Sequence, residues 1–568
     1  MNNVFFLIFA IYNCRIYPKK CMYMKRKIFQ ITVLFIFLYT FPVAALSEEA
    51  HAVFYVNIHS GNDLNDGLSW DCAFKNLQPA IDAALESDTI KVAAGTYLPT
   101  KKMAEAYDSK ASTVMPTNDR HRSFLIKNEI NLFGGFPADA NNATTLSDRD
   151  WIQNKTILTG DFKGDDDDAF ENRNENALHV VVLLSVTPST QLDGFYITGG
   201  NASADSAAVY VDNVIVQRNC GGGIYAISKF NSSPTLTNLM IQDNQAEQNG
   251  GGFYNYSETN YASPKLTDVT FICNFANERG GGFFNDGMFA EPKLYNVNMT
   301  GNLASVSGGG FFCLAENTVA PLLENVLISG NKAQTGGGAF IIALTEKASP
   351  IIRNSTICGN KATNGKGGGI LISAETAISD PTIQNSVIWG NKNNFISEGR
   401  NGSYPLFANN LIEGMTLSGT NLSGDTDPMF IDPIDADLAP TFSDFGDYRL
   451  LPGSPLIDQG NNSYVSLSMD LDQKTRIFGQ AVDIGAFESQ HVISGNETLS
   501  VARSIWSHQG NLHVIINQDD VTMHVHSING SVVRQVNRLG EGSYSFTLPN
   551  GFYIVTLSTG ETAKIIIK

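Results

Sequence analysis

Cysteine and basic charge are both scarce in this chain, and each shortage removes a class of protein. Seven cysteines occur in 568 residues, and only Cys72, Cys220, Cys273, Cys313 and Cys358 follow residue 45. An odd count at wide spacing is no disulfide framework, so these thiols are expected to be free and packed between layers of the fold. Charged residues make up 17% of the chain, below the usual quarter. Six of the 38 basic residues and none of the 56 acidic ones lie in residues 1–45, which leaves 32 against 56 and a formal charge of −24 beyond that point. Nucleic acid is therefore set aside as a partner, because phosphate binding needs clustered Lys and Arg.

What is abundant is apolar and glycine content: 43% hydrophobic residues and 51 glycines, enough to bury a long core. From Met24, the triplet Lys25, Arg26, Lys27, the apolar run Ile28 to Phe41 and the small residues Val43-Ala44-Ala45 have the order of a secretory signal, residues 24–45. Residues 1–23 are an odd prefix to it and are expected to be an N-terminal extension, the rival being a double hydrophobic anchor. No cysteine follows the cleavage site closely, which argues against a lipoprotein.

Internal repeats dominate the middle. Gly-Gly-Gly recurs at 221–223, 250–252, 280–282, 308–310, 336–338 and 367–369, spaced 28 to 31 residues apart. A second block is more rigid. Pro234, Pro264, Pro292, Pro321, Pro350 and Pro381 are followed four residues later by Asn238, Asp268, Asn296, Asn325, Asn354 and Asn385. Ten residues after each proline stand Asn244, Asn274, Asn302, Asn331, Asn360 and Asn391, with an apolar slot between (Ile241, Phe271, Met299, Ile328, Ile357, Ile388). Length varies only outside this block, where exposed loops are expected.

The pattern fits a solenoid of parallel strands, in which one slot of successive coils stacks at about 4.8 Å and identical side chains form ladders. Asparagine suits the bends because it tolerates left-handed angles and its amide can bond the amide above. Glycine triplets allow positive φ and close backbone approach, and proline can begin a strand. Helical repeats lack support, since short β-rich runs separate the breakers; a β-propeller would need four strands per repeat where two or three can be placed.

On these residues the region from about Tyr55 to Glu488 resembles bacterial right-handed β-helix repeat proteins, including those with polymorphic outer-membrane protein repeats. Phe271-Ile-Cys-Asn274 matches their F-x-x-N element and Gly337-Gly-Ala-Phe340 their G-G-A element, although most coils here carry Gly in place of that Ala. The segment Tyr55 to Tyr97 is similar to the opening of such domains, with Leu77 to Leu85 read as a short amphipathic helix capping the solenoid. Asp427-Pro-Met-Phe430, Tyr448 to Pro455, Asp458-Gln-Gly460 and Asp483 to Glu488 resemble the choice-of-anchor segment that closes them. After His491, alternating runs with Asn529-Gly530 and Asn550-Gly551 turns predict a small β-sandwich. It resembles the C-terminal sorting domain of type IX secretion, the alternative being a carbohydrate-binding or fibronectin-like module. The resemblance implies passage across the outer membrane by secretion machinery that reads this domain, and tethering to surface polysaccharide.

The expected architecture is all-β: a right-handed parallel β-helix solenoid followed by a small Ig-like β-sandwich. Its divisions are a cap and first strands at 46–100, the helix at 101–430 with clear repeats at about 221–391, a closing segment at 431–490 and the sorting domain at 491–568. No convergent set of acids and bases appears in the repeats, so no catalytic residue and no cofactor are assigned. Asp165, Asp166, Asp167 and Asp168 are candidate Ca²⁺ ligands, with a solvated acidic loop as the plainer reading. Two residues follow each glycine triplet, and strand alternation sends one set inward. If the second set faces solvent, Tyr225, Tyr254, Phe284, Phe312 and Phe340 form an aromatic stripe for sugar rings or a partner; if inward, they are core. The functional expectation is an adhesin-like surface protein that binds a surface polysaccharide or host glycan. The rivals are a polysaccharide lyase or glycoside hydrolase, and a passive structural component.

Overall fold

The computed structural model describes residues 51–103, 118–167, 170–204, 208–211, 214–443, 445–490, 505–508, 511–516, 518–527, 530–560 and 562–567. The prefix and signal readings at 1–23 and 24–45 and the candidate ligand Asp168 lie outside them.

Each coil of the repeat gives one strand to each of three parallel sheets, which have sixteen, nine and six strands. The first holds the strands that follow each proline, eight residues long after the first four, such as Lys265–Ile272 beside Lys293–Thr300, paired in register from Lys265↔Lys293 to Ile272↔Thr300, and split into two three-residue strands after Pro350 and Pro381. The six-stranded sheet holds short strands after each ladder asparagine, such as Phe275–Ala276. The nine-stranded sheet holds the strands after each glycine triplet, such as Phe283–Gly287. All ladders among these three sheets are parallel, which removes the antiparallel blades of a propeller and leaves a right-handed parallel β-helix, the hand that parallel crossovers take.

Two positions of the template carry the left-handed bends. One is the residue four after each proline, from Asn238 (φ 51°) and Asp268 (φ 54°) to Asn385 (φ 48°). The other is the residue just before each ladder asparagine: Asp243, Cys273, Gly301, Gly330, Gly359 and Gly390, at φ 52° to 68°. The ladder asparagines themselves are not among the positive-φ residues, so bending and laddering fall to adjacent positions rather than to one. The ladder is buried: Nδ2 of Asn244, Asn274, Asn302, Asn331 and Asn360 each donates to Oδ1 of the next coil's asparagine at 2.9–3.1 Å. Backbone N–H groups of the same residues donate to the same oxygens. At Gly281 a Cβ would sit 2.4 Å from the Leu303 carbonyl oxygen, which explains why the middle of the triplet admits no side chain.

The lumen is filled by the apolar slot and by the first residue after each triplet. Phe283 stacks on Phe253 (4.8 Å) and Phe311 (5.1 Å) and meets Phe271 from the opposite sheet at 5.9 Å. The helix at the first coils spans Leu77–Ala83, shorter than the sequence suggests, because Asp88 Oδ2 accepts the Leu85 N–H and turns the chain, leaving Leu85 exposed. Its Gln78 pins the strand Phe124–Ile126 through both the N–H and the carbonyl of Leu125. Cys220, Cys273, Cys313 and Cys358 are buried free thiols, Cys273 at one of the left-handed bends, whereas Cys72 is exposed.

The closing segment lies along the flank of the solenoid. Its backbone carbonyls at Gln459, Asn461, Tyr464 and Met469 accept, in turn, from Nδ2 of Asn409, Asn385, Asn354 and Asn325, and Gln473 Nε2 donates to Asp268 Oδ1. The strap therefore runs backward, coil by coil, along the ladder of left-handed residues. A second stretch follows the neighbouring corner, from Asp437 on Lys392 and Lys361 to Thr441 on Gly330. Behind both, Arg476 and Glu488 form a fully buried ion pair at 2.8 Å.

The C-terminal region is an antiparallel sandwich of a three-stranded sheet and a four-stranded sheet, closed around Leu512, Val514, Met523, Val525 and Val555.

Candidate functional site

The aromatic residues after the triplets are the first candidates. Strand alternation turns Phe253, Phe283 and Phe311 into the lumen and Tyr225, Tyr254, Phe284 and Phe312 outward, in a column with rings 5.1, 5.1 and 5.3 Å apart and within 14° of parallel. Facing outward does not leave them open. All four are at most 4% exposed, and only Phe340, turned edge-on to Phe312, is partly accessible. An antiparallel hairpin, Ala208–Val211 with Val214–Gln217, covers the column's start with Val209, Val211, Val214 and Val216. Tyr225 Oη accepts the Gln217 N–H at 3.1 Å and donates to the Ile215 carbonyl at 3.2 Å. Of the two alternatives, an exposed stripe or core stacking, the column is neither in full: it faces outward and is buried, since covering apolar rings with valines costs less than leaving them in water. The signal was present in the apolar runs Val209-Tyr-Val211 and Val214-Ile-Val216, separated by two polar residues.

The acidic loop comes together differently from its sequence reading. Asp165 and Asp167 are exposed, while Asp161, Asp165 and Glu175 bring carboxylate oxygens within 4.8 Å of one another, a group a hard cation could take. Asp161 accepts from the N–H groups of Lys163, Gly164 and Asp166, and Asp166 accepts from Asn176 and lies 3.6 Å from Arg173. Burial pushes the Asp166 carboxyl up to about 6, with Arg173 opposing. The loop is a turn organised by its own hydrogen bonds.

A third place, unmarked in the sequence, is a cleft of about 450 Å³ on the outer face of the sixteen-stranded sheet. Along the later coils this face is largely apolar and covered: Leu327, Val387 and Leu411 pack against Phe430, Tyr448, Leu456 and Ile484 of the closing segment, and Thr356, between Leu327 and Val387, accepts the Ala486 N–H. Toward the earlier coils the same columns turn polar, at Thr270, Asn298 and Thr300, and the two arms of the closing segment part around them. Asp268, Asn296, Asp472, Gln473, Phe445, Asp447 and Arg449 line it together with Trp151, whose ring is 5.9 Å from that of Tyr196.

Asp268 occupies a slot that is asparagine in the other five coils. Both its hydrogen bonds, from Asn296 Nδ2 (3.1 Å) and Gln473 Nε2 (2.8 Å), go to Oδ1, which leaves Oδ2 without one among the described residues. Burial raises its carboxyl above the ordinary range, and those two donors oppose the shift. Arg449 holds the Asp447 carboxyl below the usual range through two hydrogen bonds. Chemically the cleft offers amides, hydroxyls and carboxylates beside an aromatic ring, the set that recognises hydroxyl-rich ligands.

No family model matches the chain, and no curated protein matches it. Among solved structures it is similar to pectate lyase Pel9A at 14% identity, over 77% of this chain and 96% of that one, with a TM-score of 0.38. The sheet topology itself defines a right-handed parallel β-helix protein. The particular chain is distinguished by its lateral strap and the cleft between the strap's arms.

Proposed function

We propose that the protein is a secreted, cell-surface, adhesin-like protein that binds a glycan in the cleft between Trp151 and the closing segment. The carrying observation is the change of the sheet's outer face from largely apolar and covered to a cleft lined by Asp268, Asn298 and Gln473 together with Trp151. Sugar rings present apolar faces and rings of hydroxyls, which such a set of one aromatic and several amides and carboxylates complements. Replacing Trp151 with Ala in the full chain is expected to weaken glycan binding by about ten-fold or more, measured on a glycan array and then by titration calorimetry. Unchanged binding by a folded variant would sink the assignment.

A second reading rests on Asp268. A carboxyl raised by burial, beside Asp472 and Asp447, is the kind of group a glycoside hydrolase or polysaccharide lyase uses for proton transfer. Oligosaccharides released from any member of the same glycan panel would favour this enzyme reading, and intact glycans favour binding.

Export is proposed through the 24–45 signal and a type IX sorting role for the C-terminal sandwich; the support is the signal's order of segments and the antiparallel seven-stranded build of 505–567. Deleting residues 511–568 is expected to hold the chain in the periplasm, read by fractionation and surface proteolysis. Surface display of the truncated chain at the normal level would refute the role.

A further inference from the structure

Resting on the glycan-binding reading above, we infer that the cleft takes an uncharged glycan and rejects polyuronates. The charges on its walls carry the inference. Three carboxylates line it, at Asp268, Asp447 and Asp472, and among the described lining residues Arg449 is the one cation. That cation is committed: its Nε and Nη2 both donate to the Asp447 carboxylate, Nε at 2.9 Å. Asp472 has Lys474 at 3.1 Å, on the exposed side of the strap, and Lys474 is not part of the lining. Asp268 has amide partners and, among the described residues, no ion pair.

The cations nearest the ends of the cleft are engaged as well. Arg149 is paired with Asp193 and bonded to the Gly134 carbonyl, and Lys155 sits over the Tyr196 ring at 5.1 Å. Arg353, farther along the same flank, is bonded to the fully buried Glu324. A uronate carboxylate entering the cleft would lose water and meet like charge, with no unpaired guanidinium or ammonium among the described lining residues to compensate. A neutral sugar avoids both costs. Its hydroxyls can donate to Asp268 Oδ2 and Asp472 and accept from the Asn298 amide, whose oxygen already accepts the Thr300 hydroxyl.

The experiment titrates the full chain with oligogalacturonates and with length-matched neutral oligosaccharides of glucose, mannose, xylose or N-acetylglucosamine. Each titration is run at low salt, once with a chelator and once with Ca²⁺. At least one neutral series is expected to bind, with oligogalacturonates weaker by about ten-fold or more. Removing charge by Asp268→Asn, or at the exposed lip by Asp472→Asn, is expected to narrow that ratio, as is raising the salt. Oligogalacturonates binding as tightly as the best neutral series, with or without Ca²⁺, would overturn the inference and leave the binding reading standing. A ratio indifferent to both substitutions would do the same. Binding by neither class overturns both readings together.

Discussion

Asn331→Leu will be among the most damaging single substitutions in the solenoid, lowering stability by about 3–5 kcal/mol. Asn331 Nδ2 donates to the Met299 carbonyl (2.8 Å) and to Asn360 Oδ1 (2.9 Å), while its Oδ1 accepts both the backbone N–H (2.8 Å) and the side-chain amide (3.0 Å) of Asn302. Leucine matches the volume and removes all four, stranding a buried carbonyl and a buried N–H in a fully enclosed site. Asn391, at the end of the same ladder, finds its acceptor three residues away in Asn394 instead of in another coil, and it is 8% exposed. Asn391→Leu should therefore cost about half as much, because water and a local partner soften the loss. Urea unfolding with hydrogen exchange distinguishes the two. Asn391 still bonds the coil before it, through Asn360 and the Ile357 carbonyl, so equal losses at both positions would mean that the forward bond to the next coil's Oδ1 contributes nothing.

The second large effect is expected at Arg476. Its side chain is fully buried, donates to Glu488 Oε2 (2.8 Å) and reaches the carbonyls of Gly485 (2.5 Å) and Asp483 (3.3 Å). Glu488 also accepts from the backbone N–H groups of Phe478 and Asp483, so the pair ties four points of the closing segment. Arg476→Leu leaves a buried carboxylate unpaired and is expected to cost about 3–5 kcal/mol, appearing first as faster proteolysis within 455–490. Burial already pushes the Glu488 carboxyl above the ordinary carboxylate range, and losing Arg476 removes the charge that opposes this, so the unpaired group will take up a proton and the loss will be larger at high pH than at pH 5. Adding Glu488→Gln removes the charge and should recover part of the loss. A double variant no more stable than the single one would show that packing, not charge, holds the segment.

Much of the solenoid could be read from the chain because its determinants are local and repeated. A proline, an apolar slot, an asparagine and a glycine triplet recur at fixed offsets, and each has one structural use per coil. What the pattern could not separate was the division of labour between neighbours. The residue before the ladder asparagine varies among Asp, Cys and Gly, so the left-handed bend it shares across coils was hidden by its changing identity.

The candidate site was harder to read for a different reason. Its walls come from residues about 120 to 340 positions apart, Trp151, Asp268 to Asn298, and Phe445 to Gln473, with no motif linking them. A clue did exist: Asp268 is the one carboxylate in a column of asparagines, an exception that a purely structural ladder has no need to make. The aromatic column, the conspicuous candidate, proved to be buried, its start covered by a hairpin that lies just before the first glycine triplet, where a search for regularity does not look.

The strap also acts as a gauge of length. Solenoids of this kind can in principle gain or lose whole coils, since every coil presents the same edge to the next. Here the carbonyls of Gln459, Asn461, Tyr464 and Met469 are matched one to one with Asn409, Asn385, Asn354 and Asn325. A chain with one coil more or fewer between Asn325 and Asn409 would put those partners out of step by about 4.8 Å. Coil number in that stretch and strap length are therefore constrained to change together, and the position of the cleft is fixed by where the strap runs out.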